Sequence, residues 1–173
     1  LFRSNDGWLI KTNASGTKLW DKTFGDSGLQ ELEAVIQTSD GGYAAVGISY
    51  TSGTQYYDIY LVRTDANGDS LWTKNIGGQS YEIGNSIQQT ADGGFIIGGQ
   101  TYSYGNLDGD FYMVKTDASG NVQWEKTYAN NGLQEAHHVQ IAASGGYVLV
   151  GDADSLANGF GDTDIWLIRT DVN

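Results

Sequence analysis

Asp110-Phe-Tyr-Met-Val-Lys-Thr-Asp-Ala-Ser-Gly120 decides the fold, because it is the third statement of one phrase. The phrase first reads Asp6-Gly-Trp-Leu-Ile-Lys-Thr-Asn-Ala-Ser-Gly16 and then Asp58-Ile-Tyr-Leu-Val-Arg-Thr-Asp-Ala-Asn-Gly68. A truncated copy, Asp164-Ile-Trp-Leu-Ile-Arg-Thr-Asp171, lies near the end of the chain. Trp20, Trp72 and Trp124 keep the same spacing, as do the Gly-Gly-aromatic turns that begin at Gly41, Gly93 and Gly145. A period of about 52 residues built from short strands points to a propeller or another repeat array.

One copy reads as four strands. Asn85–Thr90 alternates polar and apolar residues, as an inner strand does, and Ala91-Asp-Gly-Gly94 is a tight turn with glycine supplying positive φ. Phe95–Thr101 is nearly continuous apolar sequence, the pattern of a strand buried on both faces. A variable loop rich in Gly and Tyr leads to Asp110–Thr116, the third strand. Asp117-Ala-Ser-Gly120 closes a hairpin, with Asp bonding its own backbone and Gly in the left-handed position. Asn121–Tyr128 is the outer strand. A small four-stranded sheet has two apolar faces that it cannot bury alone, and stacking sheets covers them. Trp20, Trp72 and Trp124 are expected to lie between adjacent sheets, each burying on the order of 150–250 Å². Gly47, Gly99 and Gly151, inside the second strands, are expected to make room for those rings.

The fold class that follows is all-β: a β-propeller of four-stranded antiparallel blades, about three of them in this chain. One repeat array covers residues 1–173, with a partial blade at 6–31, blades at 32–81 and 82–132, and an incomplete blade at 133–173. Three blades do not close a normal ring. Two readings stay open: copies associate as a homo-oligomer that completes the ring, or the chain is a fragment of a longer propeller. Leu1 stands partway through a repeat, as expected of a processed product or an excised piece.

The spacing Asp-x-x-Gly-x-x-x-Trp (Asp65, Gly68, Trp72; Asp117, Gly120, Trp124) resembles the tryptophan-docking motif of quinoprotein-type propellers, with Asn13 in place of Asp in the first copy. The fuller pattern runs from an aromatic strand through Lys-Thr-Asp, Gly and Trp to Asp-Gly-Gly-aromatic. It resembles the propeller repeats of bacterial and archaeal secreted and surface proteins, sometimes called SBBP-type repeats. The resemblance spans essentially the whole chain. It implies a non-catalytic secreted or cell-surface module for binding, adhesion or scaffolding. No residues match the quinone sites of the quinoprotein enzymes, and their disulfide features are impossible here.

Composition narrows the partners. The chain has 25 glycines, no proline and no cysteine, so neither disulfides nor thiolate metal sites exist. Its net charge is -12, from 21 acidic and 9 basic residues, which argues against nucleic acid and anionic membrane surfaces. No run is long enough for insertion into a membrane as a helix.

Four groups are candidates for chemistry. Asp108 with Asp110, Asp162 with Asp164, and Asp152 with Asp154 offer alternate carboxylates around Gly-containing loops, the oxygen-rich setting that calcium takes, although each also fits a turn cap. Tyr50, Tyr56, Tyr57, Tyr102, Tyr104 and Phe160 lie in the variable loops and suit contacts to a protein or a glycan. A lectin-like carbohydrate-binding propeller is the alternative binding reading. His137-His138 interrupts the repeat, with Glu135 able to pair with His137. A hydrolase or lyase using His137 and nearby carboxylates is the enzymatic alternative. Adjacent strand residues face opposite ways, so the two imidazoles are not expected to chelate one ion. Lys11, Arg63, Lys115 and Arg169 recur at the ends of third strands and are expected to pair with Glu31, Glu82 and Glu135. Asn13-Ala-Ser15 fits a glycosylation acceptor and a turn equally well.

Overall fold

The computed structural model describes residues 6–26, 28–50, 56–106, 108–130, 132–154 and 163–171. Thirteen strands and no helix occur among them: β1 (Gly7–Thr12), β2 (Lys18–Phe24), β3 (Leu29–Gln37), β4 (Tyr43–Tyr50), β5 (Asp58–Thr64), β6 (Ser70–Ile76), β7 (Glu82–Gln89), β8 (Phe95–Thr101), β9 (Asp110–Thr116), β10 (Val122–Tyr128), β11 (Gln134–Ile141), β12 (Tyr147–Asp154) and β13 (Thr163–Arg169). They form four antiparallel sheets in chain order: β1-β2, β3-β4-β5-β6, β7-β8-β9-β10 and β11-β12-β13. The strands expected over 95–101 and 110–116 appear with those bounds. The inner strand β7 begins at Glu82, three residues before the polar-apolar alternation starts.

Each pair of neighbouring sheets shares a core. Ala45, Tyr60 and Val62 of the second sheet meet Phe24 and Leu9 of the first. Its other face, with Ala44, Val46, Ile59 and Leu61, meets Ile87, Phe95, Ile97 and Val114 of the third. Ile96, Phe111 and Met113 then meet Ala136, Val139 and Leu149 of the fourth. Thus β8 and β9 are buried on both faces throughout their length, as expected of β8 from its nearly continuous apolar sequence, whereas β9 also buries Asp110, Lys115 and Thr116.

The repeated tryptophans lie between sheets. Trp20 stands edge-on to Tyr43 with ring centroids 5.5 Å apart, Trp72 to Phe95 at 6.2 Å, and Trp124 is tilted against Tyr147 at 5.8 Å. Each indole therefore meets the aromatic residue of the Gly-Gly-aromatic turn in the next sheet. The glycines that admit the rings are not Gly47, Gly99 and Gly151. A Cβ at Gly68 would stand 2.9 Å from the Trp20 ring, and one at Gly120 would stand 2.7 Å from the Trp72 ring. Gly47, Gly99 and Gly151 instead lie against the backbone carbonyls of Glu31, Ile83 and Glu135 in their own sheets. The cause is a bulge in each inner strand, at Leu32/Ala34, Gly84/Ser86 and Ala136/His138, which drives a carbonyl towards the neighbouring strand.

The hairpin turns hold as expected. Gly16, Gly68 and Gly120 have φ near 80°, and the preceding Asn13, Asp65 and Asp117 accept N–H bonds from the residues two and four positions on. Asn13 therefore does the work of the Asp it replaces.

The recurrent cations pair differently from the expectation. Arg63 Nη2 lies 2.5 Å from Asp40, and Lys115 Nζ lies 2.8 Å from Asp92. Both carboxylates belong to the turn between the first two strands of the same sheet. Glu82 sits at the opposite end of its strand, out of reach of that turn. The Lys115 ammonium, the Thr90 hydroxyl and the Gly94 N–H together hold the Asp92 carboxyl down to about 2. Because this carboxyl is depressed in the folded chain, its stabilisation is complete above the ordinary carboxylate range near 4. It fades as pH falls through about 2. Asp92 is half exposed, so solvent screens the pair. Asp92→Asn is expected to cost about 1 kcal/mol at pH 7 and nothing well below pH 2. Urea midpoints of the two proteins that stay a constant distance apart across this range would contradict the assignment.

Candidate functional site

The loops at one end of the stacked sheets carry most of the candidate residues. This end holds the start of β3, the end of β4, the start of β5 and the end of β6, together with their counterparts in the other sheets. Five tyrosines come into ring contact here: Tyr50 at the end of β4, Tyr56 and Tyr57 in the β4–β5 loop, Tyr81 just before β7 and Tyr102 just after β8. Tyr50 and Tyr57 lie 5.5 Å apart between centroids, Tyr57 and Tyr81 5.6 Å, Tyr56 and Tyr81 5.1 Å, and Tyr81 and Tyr102 6.1 Å. Backbone bonds fix the row: the Glu82 N–H donates to the Tyr57 carbonyl and the Tyr102 N–H to the Tyr81 carbonyl, each at 2.8 Å. Tyr56 and Tyr81 remain 37% exposed, and Tyr50, Tyr57 and Tyr102 are half-buried. Burial first, and the Glu135 charge second, push the Tyr102 phenol above its ordinary value, so it stays neutral.

Tyr81 is the hub of this row, and the loop composition did not single it out. The signal was positional: residues 29, 81 and 133 are equivalent, and they read Leu29, Tyr81 and Leu133. Each pairs with the residue at the end of the second strand, positions 50, 102 and 154. Tyr50 and Tyr102 extend the row, and Asp154 ends it. Tyr104, expected among the contact residues, turns away and lies against Tyr112 at 5.8 Å. It lines a cleft of about 410 Å³ between the outer strands with Lys74, Asn121 and Glu125. Phe160 lies outside the described residues.

The acidic pairs divide. Asp108 is exposed, whereas Asp110 is buried and its Oδ2 accepts the Asn106 N–H at 2.8 Å. Asp152 and Asp154 share one face of β12. Asp164 lies opposite Ala153 in the register, so its side chain is on the other face. Asp154 accepts the Thr163 hydroxyl at 3.1 Å. Asp162 lies outside the described residues. Among the described residues, no group of three or more His, Asp or Glu side chains converges as a metal site would require.

His137 and His138 lie within β11 and not ahead of it. His137 occupies the bulge, where the other copies carry Glu33 and Asn85. Its Nε2 is 3.0 Å from Asp152 Oδ2, and its Nδ1 is 3.8 Å from Glu135. His138 Nδ1 is 3.2 Å from the Ser86 hydroxyl of the preceding sheet. The two rings are therefore committed to different neighbours. The expected pairing of His137 with Glu135 is present, but Asp152 is nearer.

Beneath the tyrosines lies a polar cluster that recurs by position. Gln30, Glu82 and Gln134 are fully buried, and each side-chain oxygen accepts the N–H four residues earlier, at 3.2, 2.6 and 3.0 Å. Only the middle copy has a carboxylate here. It also accepts the Thr101 hydroxyl at 2.8 Å and the Ser103 N–H at 3.2 Å. Asp58 stands close enough for burial, and then the Glu82 charge, to raise its pKa. A raised carboxyl gives stability that is present at low pH and lost as pH rises through the folded value. Glu82→Gln restores the residue of the other copies and removes the repulsion. It is expected to stabilise the chain by about 1 kcal/mol at pH 7 and by little at pH 3. A loss of stability at pH 7 would mean that the charge-assisted bonds of Glu82 outweigh the repulsion.

No known protein family matches the chain, and no curated protein matches it.

Proposed function

We propose that the chain forms consecutive blades of a β-propeller and acts as a non-catalytic binding module, using the tyrosine-lined loop end as its contact surface. The observation that carries the binding reading is the row of five tyrosines, gathered from the end of β4 and the loops of the second and third sheets and left partly open to solvent. Rigid aromatic rings amid Ser, Gly and Asn supply contact area at low entropic cost. The resemblance of the repeats to those of secreted and cell-surface propellers supports a role in adhesion or scaffolding at such a location.

The propeller reading rests on the stacking order and on what the terminal sheets leave uncovered. Ile165 and Leu167 are 82% and 63% exposed, yet their equivalents Ile59 and Leu61, like Phe111 and Met113, are buried against the next sheet. At the other end, Trp8 and Ile10 are open where Tyr60 and Val62 are covered. A further blade, from a second copy or from a longer chain, fits both faces. Light scattering with calcium and with a chelator separates these cases. A dimer of defined mass would support ring completion between copies, and a monomer would support a longer array. A mass dependent on calcium would implicate the Asp pairs.

The binding reading is tested on peptide and glycan arrays probed with the chain and with Tyr81→Leu. Binding that the variant loses supports it. An enzymatic reading has one geometric point in its favour, the exposed His137–Asp152 couple. Hydrolase or lyase turnover abolished by His137→Ala would replace the binding module with that alternative.

A further inference from the structure

We infer that the tyrosine row receives a cationic polypeptide segment, with Lys or Arg side chains laid over the rings. This rests on the reading of that loop end as a binding surface, and it adds the chemistry of the partner. Two independent features lead to it. The first is the aromatic surface itself: Tyr81 touches Tyr56, Tyr57 and Tyr102, with Tyr56 and Tyr81 the most open. Aromatic faces attract ammonium and guanidinium groups through the ring quadrupole, and more strongly when the cation is partly desolvated.

The second is a division of charge between the two ends of the sheets. Among the described residues, the loops of the tyrosine end, at 25–26, 28, 56–57, 77–81, 102–106, 108–109, 129–130 and 132–133, contain no Lys or Arg. Asp26 and Asp108 are exposed in them, and Asp58 and Glu82 lie just beneath. The basic residues of the described strands sit mid-strand or at the far end. Several are already satisfied there: Lys22 by Asp69, Arg63 by Asp40 and Lys115 by Asp92. Among the described residues, the loops of the tyrosine end therefore present one sign of charge, a field that draws cations to the rings. A neutral glycan would gain from the stacking surface but not from the field, and an anionic ligand would be repelled.

Titration of the whole chain with a lysine- and arginine-rich heptapeptide, and separately with a neutral hexasaccharide, tests this. Tyr81→Leu is the informative variant, because Leu29 and Leu133 fill the equivalent positions and the fold accommodates that side chain. Asp108→Asn tests the charge, with Asp69→Asn as an equal change of charge at the opposite end. The peptide is expected to bind, to weaken about tenfold in Tyr81→Leu and severalfold in Asp108→Asn, and to be unaffected by Asp69→Asn. Peptide binding that Tyr81→Leu leaves intact, or that both Asp variants weaken alike, would show attraction to the acidic chain as a whole and overturn the inference. Hexasaccharide binding lost in Tyr81→Leu, without peptide binding, would overturn it too while leaving the binding surface standing. Failure of both ligands would overturn the cationic inference, and the array experiment would decide the binding reading separately.

Discussion

Trp72→Ala is expected to lower the unfolding free energy by about 3–5 kcal/mol, the range for removing a large aromatic from a packed site. The indole leaves β6, stands edge-on to Phe95 of the next sheet, and lies over Gly120. That glycine is held at φ 77° in a turn whose N–H groups are tied to the Asp117 carboxylate, so the backbone cannot collapse into the vacated space. The void would open between the two four-stranded sheets. In a repeat array, stability is close to a sum of unit terms and nearest-neighbour interfaces. Losing the central interface should therefore broaden the urea transition as well as shift it, because the halves begin to unfold separately. Trp8→Ala is the control: Trp8 is 52% exposed and bonded to Asp21 at 3.3 Å, so its loss should cost less than about 1 kcal/mol. Equal costs for the two variants would mean that the indoles between sheets do not hold the array together.

The period made the sheets legible because each feature that recurs is local or nearly so. The hairpin turns are written in Asn13, Asp65 and Asp117 with their glycines, β8 in a nearly continuous apolar run and β9 in the recurring phrase that begins at Asp110. What the pattern did not show is how the strands pair. The inner-strand bulges change the register by one residue. By the period alone, the equivalents of Glu82 are Gln30 and Gln134, not Glu31 and Glu135. The expected ion pair fell at the wrong end of the sheet because antiparallel pairing sets the end of the third strand beside the turn between the first two, where Asp40 and Asp92 lie. The bulges account for Gly47, Gly99 and Gly151, whose neighbours are displaced carbonyls and not indoles. At the candidate surface, loop composition identified Tyr50, Tyr56, Tyr57 and Tyr102, since aromatic residues in variable loops stand out. Tyr81 was hidden because its position is apolar in every copy and reads as packing. Only the contact between sheets makes it the centre of the row. Tyr104 shows the converse: it shares a loop with Tyr102, but its ring is drawn to Tyr112, whose hydroxyl is bonded to Glu125.

Gly99→Ala is expected to cost about 3 kcal/mol or more, although alanine normally stabilises a strand position relative to glycine by up to about 1 kcal/mol. The objection is steric and not conformational. A Cβ at Gly99 would overlap the Ile83 carbonyl oxygen and crowd the Gly84 Cα, both backbone atoms of the paired strand. Neither can rotate away, because the carbonyl is placed there by the bulge at Gly84/Ser86. Relief would require β7 to give up the bulge, and a shift of one residue would turn its side chains to the opposite face. Ile87 would leave the core, and Asn85 would lose its bonds to Glu135 and to the Ala136 carbonyl of the fourth sheet, now at 3.2 and 3.0 Å. Gly98→Ala separates the two kinds of crowding. Its Cβ would meet the Val139 Cβ of the next sheet at 2.9 Å, so relief needs the third and fourth sheets to part slightly while the bulge stays in place, at a cost of about 1–3 kcal/mol. Urea denaturation together with amide exchange along β7 distinguishes the outcomes. Protection of β7 should be lost in Gly99→Ala and kept in Gly98→Ala. Retained protection and unchanged stability in Gly99→Ala would show that the bulge is not what requires glycine at this position.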